Sequence, residues 1–361
     1  MVEISDGNLP YNVIGTENRK MMVLCRLKRL IIIIAKIFLV ILFIHSVIIP
    51  LIYKNSFKIQ SAALFLNFVN VPSKADLANP QKYNLPLSRN IYLKTDDNVT
   101  LGVWHILKIE ENPNHGKQSN DSIFKNALLD STDTIIYFHG NTGSRLLDHR
   151  IELYKILRKR FHVVTFDYRG FADSTNEQPS ETKLVKDCEF IYKWVANKTQ
   201  GSIFVWGHSL GTSLVTHSLF NLKNSKITEP AGVFLEASFT NMADEIVENP
   251  IAKIFTFLPW FDYVAIQPMK RNGLTLESDK YICEIDAPII ILHAQDDNVV
   301  PIKLGKKLYA TGKKCRQRTA GPIIFYEFQS KCGYQHKYIY RAPEIGDIIN
   351  DFVSLAKKRK Q

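Results

Sequence analysis

Residues 202–212 read SIFVWGHSLGT, and this stretch restricts the possible folds more than any other in the chain. A short β-favouring run, Ile203 to Trp206, meets Gly207-His208-Ser209-Leu210-Gly211, and a helix-compatible run, Ser213 to Asn221, follows. G-x-S-x-G between a strand and a helix is a nucleophile elbow. A serine at the tip of so tight a turn sits in strained backbone space, and side chains two positions before and after it would collide. The backbone N–H of Leu210, opening the helix, then points at whatever oxygen gains charge as Ser209 attacks. Ser209 is the candidate nucleophile.

An elbow of this kind needs a sheet around it, and the chain supplies one. Strands are expected at Thr134–Phe138, His162–Phe166, Gly232–Glu236, Pro288–His293 and Ile323–Phe328. Between and after them, helices are expected at Leu147–Lys159, Glu181–Lys198 (capped by Ser180), Ile302–Tyr309 and Ala342–Lys357. Upstream, Ile91–Lys94 and Thr100–Leu107 read as paired strands around the Asp96-Asp97-Asn98 turn. Repeated strand–helix alternation predicts an α/β fold, a mostly parallel sheet with helices on both faces. Two segments break the rhythm. Residues 110–132 are polar and rich in Asn, Ser and Lys, and read as an exposed insertion or a partly disordered loop. Residues 240–280 carry the aromatic- and proline-dense FTFLPWFDYVAIQPM. That segment reads either as irregular core packing or as a cap that lines an acyl-chain pocket and touches a membrane.

Ahead of the sheet lies RLKRLIIIIAKIFLVILFIHSVIIPLIY, residues 26–53. Its apolar part, residues 30–53, would span about 36 Å as a helix, enough to cross a bilayer. Lys36 lies near one end and can snorkel. The stretch is too long for a cleaved signal peptide and has no A-x-A site after it. Arg19, Lys20, Arg26, Lys28 and Arg29 precede the span, whereas Lys54 and Lys58 follow it. The positive-inside rule then places the N-terminus in the cytosol and the large domain in a lumen or outside the cell. The expected division is a cytosolic tail at 1–29, a transmembrane helix at 30–53, a juxtamembrane segment at 54–87, and a catalytic domain at 88–361. Within the juxtamembrane segment, residues 59–69 form a helix lying on the bilayer or packing under the domain. The sequons at Asn98, Asn120 and Asn197 all fall beyond the span.

The net charge of +11 raises the question of nucleic acid, but no recognition-helix or RNA-binding signature accompanies it, and nucleic-acid binding is not expected. The basic balance fits anionic lipid head groups and a solvated surface equally. The five cysteines form no C-x-x-C pair and have no histidine at metal spacing. Most read as small buried hydrophobes, with one bridge compatible with the count and its partners left open.

An acyl-transfer serine needs a base, an acid to orient the base, and donors for the oxyanion. In a fold of this type the acid and then the base follow the serine in chain order, each after a later strand. After Pro288–His293 comes Gln295-Asp296-Asp297-Asn298-Val299-Val300-Pro301. Asp297 is preferred over Asp296 by its spacing to the Val-Val-Pro that opens the next element. After the last strand comes Gly333-Tyr334-Gln335-His336, and His336 is the only histidine downstream of both Ser209 and Asp297. For the oxyanion, His139-Gly140-Asn141-Thr142-Gly143 follows its strand as a second donor loop, with the N–H of Asn141 joining that of Leu210. His139 and His208 read as structural. Arg169, in Asp167-Tyr168-Arg169-Gly170, reads as one half of an ion pair ahead of an anchor for an anionic head group. This chemistry calls for no metal and no organic cofactor.

Taken together, HGNTGSR, FDYRGFADS, VWGHSLGTSL, LEASFTNM, LHAQDDNVVP and GYQHKYIY resemble the α/β-hydrolase-domain lipases. The nearest likeness is to their membrane-anchored monoacylglycerol and lysophosphatidylserine lipase branch. The resemblance covers about 88–352 and extends to the single N-terminal span. It implies an α/β-hydrolase fold with a cap insertion at about 240–280, and carries the triad onto Ser209, Asp297 and His336. It also implies hydrolysis of lysophosphatidylserine or monoacylglycerol at the endoplasmic reticulum membrane, with a lumenal catalytic domain and the bilayer lipid as partner. A protein depalmitoylase would use the same triad. A binding protein on a hydrolase scaffold would normally lack one of its members.

Overall fold

The computed structural model describes residues 11–69, 77–109, 121–223, 225, 227–253 and 255–359. The chain divides into two compact units, Met1–Ser56 and Phe57–Gln361.

The first unit is helical: α1 (Tyr11–Phe43), a π-turn at Ile44–Ile48, and α2 (Ile49–Asn55). Residues Arg19–Asn55 form one 37-residue stretch long and apolar enough to cross a membrane. Pro50 sits in the first turn of α2 and offers no N–H, and the wider π-turn just before it absorbs the missing donor. Helix α1 begins inside the segment expected to be a tail. Once an apolar helix is nucleated, extending it upstream costs little.

The second unit holds an eight-stranded sheet in the order β1-β2-β4-β3-β5-β6-β7-β8. The strands are β1 (Ser88–Lys94), β2 (Thr100–Ile106), β3 (Thr134–Phe138), β4 (His162–Phe166), β5 (Ile203–His208), β6 (Gly232–Glu236), β7 (Ile289–Ala294) and β8 (Ile323–Phe328). β1 and β2 form the antiparallel edge, and every pairing from β4 to β8 is parallel. β3 to β7 are buried along their whole length, which is why each reads as an unbroken apolar run.

Helices cover both faces. On one, α5 (Asp148–Leu157) and α13 (Ile345–Lys358) pack Tyr154, Leu157, Phe352 and Val353 over Tyr137, Phe204, Trp206 and Phe234. Trp206 stacks on Phe234 at 4.9 Å, and Phe352 meets Phe234 edge-on at 4.7 Å. Against the sheet's other side chains lie α7 (Leu210–Leu222), with α6 (Glu181–Ala196) beside it, and α12 (Ile302–Cys315). Ser180 caps α6 as expected, its side chain accepting from the N–H of Lys183.

Three expectations need revision. The compact unit begins at Phe57, upstream of Ser88, because α3 (Phe57–Phe65) buries Gln60, Ser61, Leu64 and Phe65 against the domain. The polar insertion at 110–132 contains helix α4 (Asp121–Ala127), and Phe124 and Leu128 are buried. The rings of Phe124 and His105 meet at 5.5 Å, with Arg89 over the Phe124 ring. Residues 110–120 lie outside the described ones, as does the sequon at Asn120. Of the cysteines, Cys283 and Cys315 form a disulfide, Cys188 is buried, and Cys25 and Cys332 are exposed. Burial as a small hydrophobe therefore describes Cys188 alone.

Residues 240–280 enter between β6 and β7 as short helices: α8 (Met242–Glu248), α9 (Pro250–Lys253), a π-turn at Asp262–Ile266, α10 (Gln267–Arg271) and α11 (Ser278–Tyr281). Phe257 and Tyr263 are exposed on this segment. Inside it, Met242, Ile246, Ile266, Met269 and Leu274 line a cavity of about 140 Å³.

Candidate active site

β5 ends at His208 and α7 starts at Leu210, leaving Ser209 at φ 53°, ψ −118°. That is a costly conformation for a residue with a Cβ, and two glycines make it attainable. A Cβ on Gly207 would stand 2.6 Å from the Gly211 carbonyl oxygen, and one on Gly211 would stand 2.1 Å from that of Phe138. The elbow is thus wedged between β3 and its own helix. Ser209 donates its N–H to the Glu236 carbonyl at 2.9 Å and accepts the Thr212 hydroxyl at 2.6 Å, both through its main chain.

The candidate base and acid arrive on two later loops. His336 Nδ1 lies 2.8 Å from Asp297 Oδ2. Asp297 Oδ1 accepts the N–H groups of Val299 at 2.9 Å and Val300 at 2.8 Å. Burial alone would raise the Asp297 carboxyl, but hydrogen bonds from His293 and His336 outweigh it and hold the group below the usual carboxylate range. Asp296, the other candidate, turns away and accepts the N–H of Gln335 at 3.1 Å. Ser209, Asp297 and His336 are only 6%, 7% and 6% exposed. No hydrogen bond joins the Ser209 hydroxyl to His336 among the described residues, and such bonds commonly tighten only when substrate binds.

His208 ties the base to the elbow. Its Nε2–H donates to the His336 carbonyl at 2.9 Å, and the two rings lie 4.9 Å apart. Burial drives the His208 imidazole well below its ordinary pKa, so it stays neutral and keeps that proton for the carbonyl. His293, the fourth residue before Asp297, sits 3.4 Å from Asp297 Oδ2 and 2.9 Å from the Val300 carbonyl. Gly305 on α12 leaves room for that ring, since a Cβ there would meet His293 Nδ1 at 2.4 Å.

The loop after β3 runs alongside. A Cβ on Gly140 would come within 3.3 Å of the Ser209 Cβ, so Asn141 follows directly beside the serine. The N–H groups of Asn141 and Leu210 have no protein acceptor among the described residues, which leaves them available to a ligand oxygen. Arg150 holds this loop from behind, fully buried and donating to the carbonyls of Ser144, Gly140 and Thr142 at 2.5, 3.3 and 3.1 Å. His139 is packed on Tyr168 with ring centroids 4.3 Å apart, and its Nε2 lies 3.3 Å from Asp167.

Arg169 is buried among Asp187 at 2.6 Å, Asp97 at 2.8 Å and Glu177 at 3.2 Å. It serves an ion-pair network and has no group left for a ligand. Glu236, below the elbow, accepts the Trp206 indole N–H at 2.8 Å. Burial pushes its carboxyl up to about 8, the indole opposing and the Asp297 charge adding. Sequence reading missed Arg150, His293 and Glu236. Only the spacing of His293 to Asp297 carries a local signal.

Fold and site together define an alpha/beta hydrolase, and residues 133–229 match the family described as alpha/beta hydrolase fold. The chain is 38% identical to lysophosphatidylserine lipase ABHD12 of Macaca fascicularis, over 87% of this chain and 78% of that protein. The Gallus gallus protein of the same name is 38% identical over 91% of this chain and 84% of its own length. The chain belongs to the ABHD12 family of alpha/beta hydrolases, in agreement with the resemblance its motifs carry. Among solved structures, an esterase of Pyrococcus furiosus matches with a TM-score of 0.56 and 19% identity, over 79% of this chain and 96% of that one, a likeness of fold.

Proposed function

We propose that Ser209, His336 and Asp297 act as a catalytic triad that hydrolyses the acyl ester of a lysophospholipid, lysophosphatidylserine first, or of a monoacylglycerol. The observation that carries the reading is the 2.8 Å His336–Asp297 contact beside a strained serine whose next N–H is free. The relatives' name, lysophosphatidylserine lipase, supports the substrate class. His336 takes the Ser209 proton as Oγ attacks the acyl carbonyl, and Asp297 stabilises the imidazolium. The N–H groups of Asn141 and Leu210 receive the oxyanion. The glycerol or glycerophospho alcohol leaves with the proton from His336. Water, deprotonated by the same imidazole, then cleaves the acyl-serine to a free fatty acid.

The apolar helix Arg19–Asn55 anchors this activity at a bilayer, and residues 240–280, inserted between β6 and β7, act as the cap that admits the acyl chain. We place the N-terminus in the cytosol and the hydrolase in the lumen of the endoplasmic reticulum. Support comes from the basic residues before the span, from the Cys283–Cys315 disulfide, which fits an oxidising compartment, and from the exposed sequons Asn98 and Asn197.

Two measurements test the reading. An active-site fluorophosphonate should label the chain and fail to label Ser209→Ala. Membranes carrying the chain should release fatty acid from lysophosphatidylserine or monoacylglycerol in a mixed lipid panel read by mass spectrometry. Acyl release from an S-palmitoylated peptide alone would move the assignment to a depalmitoylase, and absent labelling would remove it.

A further inference from the structure

The loop that carries Asn141 does not stand on its own residues. Thr142 donates its N–H to the Phe65 carbonyl at 3.4 Å, and Gly143 donates to that of Val69 at 3.1 Å. The Asn141 side-chain amide donates to the Leu64 carbonyl at 3.3 Å. All three acceptors belong to the C-terminal turn of α3 or to the residues just after it. Thr142 and Gly143 both take positive φ, 67° and 62°, which turns their N–H groups toward α3. The N–H groups of three consecutive residues are thereby divided: two are consumed by α3, and that of Asn141 is left facing the elbow.

Helix α3 is itself fixed to the domain. Ser61 Oγ donates to the Pro179 carbonyl at 2.7 Å and accepts from Gln178 at 2.7 Å. Asn67 donates to the Gly170 carbonyl at 3.1 Å, and Asn272, in the cap segment, donates to Gln60 at 2.7 Å. Phe65 is wholly buried. In the chain, only Ser56 separates α3 from the end of the apolar helix.

We propose that the juxtamembrane helix α3 is a positioning element for the oxyanion hole, an inference that rests on Asn141 N–H being an oxyanion donor. By taking the N–H groups of Thr142 and Gly143, α3 fixes which donor of the loop faces substrate. Undocking it strips two donors, one half-buried and one buried, of their acceptors, and the loop loses the two bonds that hold its course and becomes free to rearrange. The segment that follows the membrane helix thus completes the catalytic site, and a hydrolase domain cut away from it would keep its nucleophile and lose its electrophilic catalysis.

The test uses the full chain in detergent micelles or nanodiscs, comparing Phe65→Ala, the milder Ser61→Ala, the conservative Phe65→Leu, and Lys58→Ala, an exposed position on the same helix. Hydrogen exchange over 139–146 is read beside kcat and KM for a soluble short-chain chromogenic ester, so that access to lipid plays no part. In folded Phe65→Ala, exchange over 139–146 rises about tenfold. Its kcat falls about a hundredfold while KM holds within about threefold. Ser61→Ala moves in the same direction by less, Phe65→Leu recovers most of the rate, and Lys58→Ala matches the parent. Unchanged exchange over 139–146 in both Phe65→Ala and Ser61→Ala overturns the proposal, as does a loss seen only in KM or only in proportion to unfolded protein. A parent chain that takes no fluorophosphonate at Ser209 sinks the hydrolase reading separately, while the exchange data still decide whether α3 holds the loop.

Discussion

His336 Nδ1 stands 2.8 Å from one oxygen of Asp297, while the other oxygen of that carboxylate is tied to the N–H groups of Val299 and Val300. The backbone bonds fix the carboxylate's orientation before the histidine meets it. An imidazole held this way donates from Nδ1 and keeps the lone pair of Nε2 for the nucleophile's proton.

Asp297→Asn should keep the two backbone bonds through its amide oxygen and present an N–H₂ to His336. The imidazole must then accept at Nδ1, which places its proton on Nε2, where a base is needed. We expect kcat to fall by about four orders of magnitude with the fold intact. Asp296→Asn retains an acceptor for the Gln335 N–H and should stay within about threefold of the parent. Equal losses in the two variants, measured by ester hydrolysis, would remove Asp297 from its assigned role.

What the sequence revealed follows the range of the forces involved. β3, β4 and β6 coincide with the apolar runs that predict them, because burial of a strand is written in consecutive residues, and β8, half-buried over most of its length, also keeps its predicted bounds. Helix α7 starts at Leu210, where the elbow motif puts its opening, although Gly211 has weak helix propensity and fits only because it lacks the Cβ that would meet the Phe138 carbonyl. Helix α12 outruns its predicted end at Tyr309 and reaches Cys315, where the disulfide holds it. The pairing of Asp297 with His336, two members of the proposed triad, was legible as an order of residue types after strands. The His208–His336 bond spans 128 residues, and the bonds from the Asn141 loop to α3 are also non-local, so no local pattern announces them.

The Glu236 carboxyl makes stability depend on pH in a direction opposite to that of an ion-paired acid, whose pKa folding lowers. Its ordinary value is 4.5 and burial pushes it up to about 8, so the folded chain keeps a proton that the unfolded chain has released. Where the native state binds more protons, stability falls as pH rises, here between about 4.5 and about 8. Glu236→Gln keeps an oxygen for the Trp206 indole and cannot ionise. Its stability should decline less over that window, with a difference on the order of a few kcal/mol by pH 8. Denaturant midpoints at several pH values check this, and parallel slopes for both proteins would refute it.

The Cys283–Cys315 bridge links the turn before β7 to the end of α12 across a sequence separation of 32. Closing a loop of that size stabilises by about 3.7 kcal/mol in the chain-entropy account, by restricting the unfolded chain. The paired change Cys283→Ser with Cys315→Ser should lower the melting temperature by several degrees. The rate per folded molecule should change little, since the bridge touches none of Ser209, Asp297, His336 or the Asn141 loop. Thermal unfolding with and without reductant should reproduce the shift in the parent chain and leave the double variant unmoved.

Arg150 provides the last prediction. Its guanidinium is buried and binds three main-chain carbonyls of one loop, Gly140, Thr142 and Ser144, while no carboxylate pairs with it among the described residues. A buried cation without a counter-ion is expensive to maintain, and stability alone would favour an apolar residue of the same volume. In the proposed mechanism the fork offsets that cost by its effect on the loop: it pins the carbonyl side of the loop whose N–H side would meet the oxyanion, and would place fixed positive charge behind that oxygen. Arg150→Lys keeps the charge and loses the planar fork, and Arg150→Met loses both. We expect kcat to fall about tenfold for the lysine and about a hundredfold for the methionine. KM should be nearly constant in both, because the loop acts on the transition state more than on bound ester. Steady-state kinetics on a soluble ester, normalised to folded protein, separate this from loss of stability, and a methionine variant with full kcat would show that the three carbonyl bonds serve packing only.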